Sequence, residues 1–177
     1  MKNNFKSLLA GLLGLFAFNS CASIPDGALP VKPFSAESYL GKWYEIARFD
    51  FRFERGMNNT TANYSMNQDG SIRVENRGYL VEKKLWKVAI GKAKFVGSSN
   101  EARLKVSFFG PFYGGYNVIA LDDAYKYALV SGNSLSYLWI LSREKTIPDE
   151  IKRSYLQKAK SLGFDVDALI WVKQDAQ

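Results

Sequence analysis

Thr60-Thr61-Ala62-Asn63-Tyr64-Ser65-Met66-Asn67-Gln68-Asp69-Gly70-Ser71-Ile72-Arg73-Val74-Glu75-Asn76-Arg77 is the stretch on which the fold turns. A run rich in threonine and tyrosine enters the tight-turn tetrapeptide Asn-Gln-Asp-Gly. After it, Ile72, Val74 and Asn76 alternate with Arg73, Glu75 and Arg77. A period of two marks a strand with one wet face, and turn chemistry between two such runs marks an antiparallel hairpin. The same signal recurs on both sides. Upstream, Trp43-Glu45-Ala47-Phe49 alternates with Tyr44-Ile46-Arg48. Downstream, Trp86-Val88-Ile90 alternates with Lys87-Ala89, and Leu104-Val106-Phe108 with Arg103-Lys105-Ser107. Tyr116 to Leu121, Tyr127 to Val130 and Tyr137 to Leu141 complete eight runs, with Gly97-Ser98-Ser99-Asn100, Asp122-Asp123 and Gly132-Asn133 as turns.

Short links require antiparallel neighbours, and eight sequential strands leave two bare edges unless the sheet closes. The expected fold is all-β: an eight-stranded antiparallel up-and-down β-barrel, a calyx able to hold one small ligand, with a β-sandwich as the alternative. One helix follows. Thr146 is its expected cap, Pro148 sits in the first turn, and Ile151, Tyr155, Ala159 and Leu162 form an apolar stripe that ends at Gly163. Such a helix packs on the outside of the barrel. Ala168 to Val172 is a candidate final strand.

Composition narrows the chemistry. The 177 residues contain no histidine and one cysteine, Cys21. A Ser-His-Asp triad, a His-ligated zinc, a proximal-His haem and an internal disulfide are all excluded. No cofactor or metal is expected. Adjacent carboxylates such as Asp122-Asp123 point apart in a strand turn, so no acid–base pair suggests an enzyme. Lysine and arginine exceed the acids by seven but are spread along the chain, which argues against nucleic-acid binding.

The amino terminus reads as an export signal. Lys2 and Lys6 precede the uncharged run Leu8 to Phe18, too short to span a bilayer comfortably and right for the core of a signal peptide. Ser20-Cys21 closes it. The segment resembles a bacterial lipoprotein signal, which implies a lipidated Cys21 and an outer-membrane destination. Residues 1–20 are the expected signal peptide, 21–33 (with Pro25, Gly27, Pro30 and Pro33) an extended tether, and 34–177 the barrel domain.

Strand parity proposes a cavity lining. Charged positions face water, so Ile72, Val74 and Asn76 are expected inside, with Leu104, Val106 and Phe108, and with Trp86, Val88 and Ile90. Glu45 shares parity with Trp43 and, if buried, requires an Arg or hydroxyl partner. Phe51, Phe53, Phe109, Phe112 and Tyr113 fall in loops. They are expected either to form an apolar patch for a membrane or a second copy, or to fold onto the rim.

Gly41-Lys42-Trp43-Tyr44, Ala124-Tyr125-Lys126-Tyr127-Ala128-Leu129-Val130 and Leu141-Ser142-Arg143 resemble, in order and spacing, the three motifs of the lipocalin family. The Phe-Phe-Gly-Pro-Phe-Tyr-Gly-Gly centre of Val106 to Ala120 and the run Tyr137 to Arg143 resemble the bacterial lipocalins, outer-membrane lipoproteins related to apolipoprotein D. The resemblance implies structural roles for Gly41, Trp43 and Arg143, with Arg143 over Trp43. It also implies inward Tyr64, Tyr116, Tyr137, Trp139 and Leu141, and ligand contact at Tyr64, Asn76, Phe108 and Trp139. The expected function is non-enzymatic binding and storage or transport of amphiphilic lipids, lysophospholipids or fatty acids, on a membrane-tethered protein that can form a homodimer. The alternative is an envelope interaction module with a filled barrel.

Overall fold

The computed structural model describes residues 23–175; the leader and Cys21 lie outside them. The elements run α1 (Ala36–Tyr39), β1 (Gly41–Arg48), β2 (Met57–Met66), β3 (Ile72–Leu80), β4 (Leu85–Phe95), β5 (Arg103–Phe109), β6 (Phe112–Leu121), β7 (Tyr127–Ser131), β8 (Leu138–Ser142), α2 (Asp149–Ser161), a 3-10 turn (Val166–Ala168) and β9 (Ile170–Trp171). From β1 to β8 each strand pairs antiparallel with the next. β1 pairs β2 through Gly41–Tyr44 and β8 through Tyr44–Arg48, which closes the barrel. β9 lies against Ala47 and Arg48 of β1.

Alternation sorts the apolar residues into two cores. One fills the barrel and includes Trp43, Tyr64, Val74, Leu104 and Leu141. The other lies between the outer wall and α2 and includes Ile46, Leu129, Ile140, Tyr155 and Ala159. Tyr155 also donates its hydroxyl to the Tyr127 carbonyl at 2.9 Å, so the buried phenol is satisfied. Among the described residues, both cores and the nine paired strands fall within 28–171. α2 starts later than the sequence suggested. Pro148 is its cap residue, and its side chain makes no cap bond. The Thr146 carbonyl instead accepts from the Ser142 hydroxyl. Asp149 and Glu150 in the first turn still oppose the helix dipole.

One end of the barrel is sealed. α1 crosses it after the Ser35 side chain caps the turn, accepting from the Ser38 N–H. Trp43 is fully buried above α1 and donates Nε1 to the Tyr39 carbonyl at 2.9 Å. The Arg143 guanidinium lies 3.9 Å from the Trp43 ring. The other end is open, bordered by the β1–β2 loop and the β3–β4, β5–β6 and β7–β8 turns.

The segment expected as an extended tether is docked on the wall. Val31 donates its N–H to the Val118 carbonyl and accepts from Ala102, so part of the segment runs beside β6. Its first described residue, Ser23, sits at the open end, where its hydroxyl donates to the Asn133 carbonyl and its own carbonyl accepts from Asn117 Nδ2.

Candidate functional site

The barrel encloses a cavity of about 590 Å³, within the range of small-molecule sites. Tyr64, Asn76, Leu104, Val106, Phe108, Tyr116, Tyr137 and Trp139 all line it, with Ile72, Val74 and Leu141. Tyr137 immediately precedes β8, and each of the others sits on the inward face of its strand, as the pairings require: Tyr64 opposite Val74, and Leu104 opposite Tyr116. Gly91 makes room for Phe108. A Cβ there would sit 2.9 Å from the Phe108 ring and 2.8 Å from the Ser107 carbonyl.

β4 corrects the parity reading. Asn76 pairs with Ala89 and Val74 with Gly91, so Lys87, Ala89 and Gly91 point inward. Trp86, Val88 and Ile90 point outward. Trp86 and Ile90 are absent from the lining, and Val88 borders the open side while 57% exposed. Trp86 packs outside, tilted against Tyr79 and under the Arg77 guanidinium at 4.1 Å. The register to β3 overrides the hydrophobic count here, because the Leu85–Gly91 half of β4 pairs only with β3.

Polar groups occur at two heights. At the floor, the Tyr39 and Tyr64 hydroxyls each bond that of Tyr116, at 2.7 and 2.8 Å. Burial pushes all three phenols up from their ordinary value. Asn76 Oδ1, one inward position nearer the mouth than Val74, has no partner.

On the wall beneath the β1–β2 loop, Arg48 is 1% exposed between two carboxyls. Its Nη1 donates to Glu45 Oε1 at 3.0 Å, its Nη2 to the Glu54 and Met57 carbonyls, and its Nε lies 3.8 Å from Glu54 Oε2. Thr60 also donates to Glu45, and Trp139 Nε1 to Glu54. One guanidinium neutralises one carboxylate, and burial raises both carboxyls, Glu45 to about 8. This cluster binds the β1–β2 loop to the wall. Glu45 is buried and has the Arg and hydroxyl partners that burial was expected to require, whereas the sequence reading did not point to Arg48. A bulge between Glu45 and Ala47 turns Arg48 out of the simple alternation.

The aromatics expected in loops divide: Phe51 and Phe53 lie in the β1–β2 loop, whereas Phe109 ends β5 and Phe112 and Tyr113 open β6, because the two strands pair as far as Phe109 and Phe112. Phe51 folds onto Tyr137 and Trp139, with ring centroids 5.6 and 6.4 Å apart. Phe109 and Phe112 stand 67% and 79% exposed at the mouth. No group of histidine, cysteine or acidic residues suited to a metal exists among the described residues.

Residues 34–174 match the family model of a lipocalin-like domain. The chain belongs to the lipocalin family. It is 53% identical over 169 residues to the outer membrane lipoprotein Blc of Escherichia coli (strain K12), covering 94% of this chain and 96% of that one. It is 36% identical over 154 residues to apolipoprotein D of Rattus norvegicus, covering 81% of this chain and 80% of that one. Among solved structures, insecticyanin from the tobacco hornworm Manduca sexta superposes with a TM-score of 0.67 at 20% identity, covering 85% of this chain and 86% of that one. That likeness carries the fold. As a lipocalin the chain is a binding protein in kind, with a calyx for small apolar molecules.

Proposed function

We propose that this lipocalin binds and stores or transports amphiphilic lipids, lysophospholipids or fatty acids, at the bacterial outer membrane, to which a lipidated Cys21 tethers it. The observation that carries the reading is the 590 Å³ cavity walled by aromatic and aliphatic side chains. Each acyl methylene that leaves water for such walls contributes roughly 0.8 kcal/mol, so a long chain supplies the driving force and the headgroup needs only accommodation at the mouth. Relatives named as outer membrane lipoproteins support the location.

The docked amino-terminal segment supports a direction. Ser23 contacts Asn133, a residue of the cavity lining, and Cys21 precedes it by two residues. Two residues reach at most about 7 Å, so a lipid on Cys21 enters the bilayer beside the open end. Phe109 and Phe112 project from that end. In this orientation the mouth faces the membrane surface and lipid passes between them without crossing water. Both rings also border the cavity, so replacing them with serine should weaken binding of the domain lacking residues 1–21 to phospholipid vesicles roughly tenfold or more, and affinity for monomeric lipid by a clearly smaller factor. Vesicle sedimentation and calorimetry read the two quantities separately. Equal vesicle binding by wild type and variant refutes the orientation.

The reading itself is tested by titrating the domain lacking residues 1–21 with lysophospholipids and fatty acids. Saturable one-to-one binding is expected. Trp139→Asp places an unpaired charge on the lining and should weaken it by about a hundredfold. Absence of saturable binding to any amphiphile in the wild-type domain overturns the proposal.

A further inference from the structure

The floor of the calyx contains an unbalanced row of protons. Tyr39, Tyr116 and Tyr64 are linked hydroxyl to hydroxyl, with Tyr116 in the middle, and all three rings line the cavity. Among the described residues none of these hydroxyls has another hydrogen-bond partner. Each phenol brings one proton. Three protons and two bonds leave one without an acceptor in the protein, however the row is oriented. If the row donates from Tyr39 toward Tyr64, the free proton is on Tyr64. Reversed, it is on Tyr39. If both outer phenols donate to Tyr116, it is on Tyr116. Burial keeps all three phenols protonated at neutral pH.

We infer that the floor is a polar subsite for a neutral acceptor oxygen at the leading end of the ligand, such as a ketone, ester or hydroxyl near the end of an acyl chain. The inference rests on the lipid-binding reading and narrows its ligand class to oxygenated chains. The neighbours of the row explain the choice of a neutral group. Ile72, Val74 and Leu104 surround it with hydrocarbon. The nearby cation, Arg143, is turned away from the cavity lining, its guanidinium bonded to the carbonyls of Ser38, Tyr39, Leu40, Lys42 and Tyr125. Glu45, on the lining above, offers an anion no counter-charge. A carboxylate entering first would meet one donor and no counter-charge, whereas a neutral oxygen needs only the one donor. Water can take the proton in an unfilled calyx. A methyl-terminated chain that reaches the floor displaces that water and strands the proton, and an acceptor oxygen replaces it.

The test compares hexadecanoic acid with its analogue bearing a ketone on the penultimate carbon. Both are titrated into the domain lacking residues 1–21 and into its Tyr39→Phe/Tyr64→Phe/Tyr116→Phe variant. Removing all three hydroxyls together leaves no orphaned partner, so the variant keeps its fold, which thermal unfolding verifies. In the wild type the ketone should bind at least as tightly as the plain acid. In the variant the ketone should fall about tenfold behind, because its carbonyl then loses water for nothing. The same ratio of affinities in both proteins overturns the subsite while plain-acid binding leaves the carrier reading standing. Failure of both acids to bind the wild type overturns the two together.

Discussion

Replacing Arg48 with alanine is expected to destabilise the barrel by about 3–5 kcal/mol, because it strands the two carboxyls that the guanidinium now separates. Arg48 is buried with Glu45 at 3.0 Å and Glu54 at 3.8 Å, and it also holds the Glu54 and Met57 carbonyls. Its loss frees the β1–β2 loop together with Phe51, which packs on Tyr137 and Trp139. Ligand affinity should therefore fall with stability. Combining Arg48→Met with Glu45→Gln and Glu54→Gln removes the charges as a set and should recover most of the loss, which separates charge burial from simple packing. Urea unfolding of the single and triple variants measures both. A single variant within 1 kcal/mol of wild type would be incompatible with the buried cluster.

The same cluster sets a pH dependence. Burial raises the Glu45 carboxyl from 4.5 to about 8. Between those values the folded chain keeps a proton that the unfolded chain has released. Its contribution is greatest below 4.5 and is lost as the pH rises to 8. Wild-type stability should decline across that window, and Glu45→Gln should flatten the decline. A stability curve identical in shape for the two proteins would remove Glu45 as its source.

How much of this was legible in the sequence depended on what sets each residue's direction. The strand order was readable because no link from β1 to β8 is longer than about eight residues, too short for a parallel crossover, which leaves antiparallel neighbours as the only option. β5 was readable because Arg103 and Lys105 share one parity and Leu104, Val106 and Phe108 the other. β4 was not, since apolar residues occupy its outward face where it stands beyond β5. The signal against the wrong parity was Lys92 and Lys94, which share the register of Trp86 and must face water. Arg48 escaped because a bulge is a tertiary event that the alternation of Trp43, Glu45 and Ala47 does not record. Tyr39 escaped because it reaches the cavity from α1, which precedes the strands whose parity defines the wall. The docked segment before α1 escaped because proline-rich composition reports stiffness and not what the chain lies against. Its hydrogen bonds to Val118 and Ala102 are set by the barrel.

The second large effect belongs to the sealed end. Arg143→Ala should cost about 3–4 kcal/mol. The guanidinium donates to five backbone carbonyls, four of them in the run from Ser38 to Lys42 that leads out of α1 into β1, and the fifth on Tyr125. A turn as short as α1 has too few internal bonds to persist unaided, so Arg143 supplies the acceptors' missing partners and ties α1 across the barrel end. Trp43 gains the face of that cation at 3.9 Å. Arg143→Lys keeps the charge but not the planar fork, and one ammonium cannot reach all five carbonyls, so it should recover less than half of the loss. Because Tyr39 comes from α1 and belongs to the hydroxyl row, loosening this end should also expose the calyx floor to water. Hydrogen exchange at the Tyr39 and Leu40 amides should therefore accelerate in Arg143→Ala well beyond the exchange at Val130 in β7, whereas uniform acceleration at both would mean that Arg143 stabilises the barrel as a whole and not its sealed end.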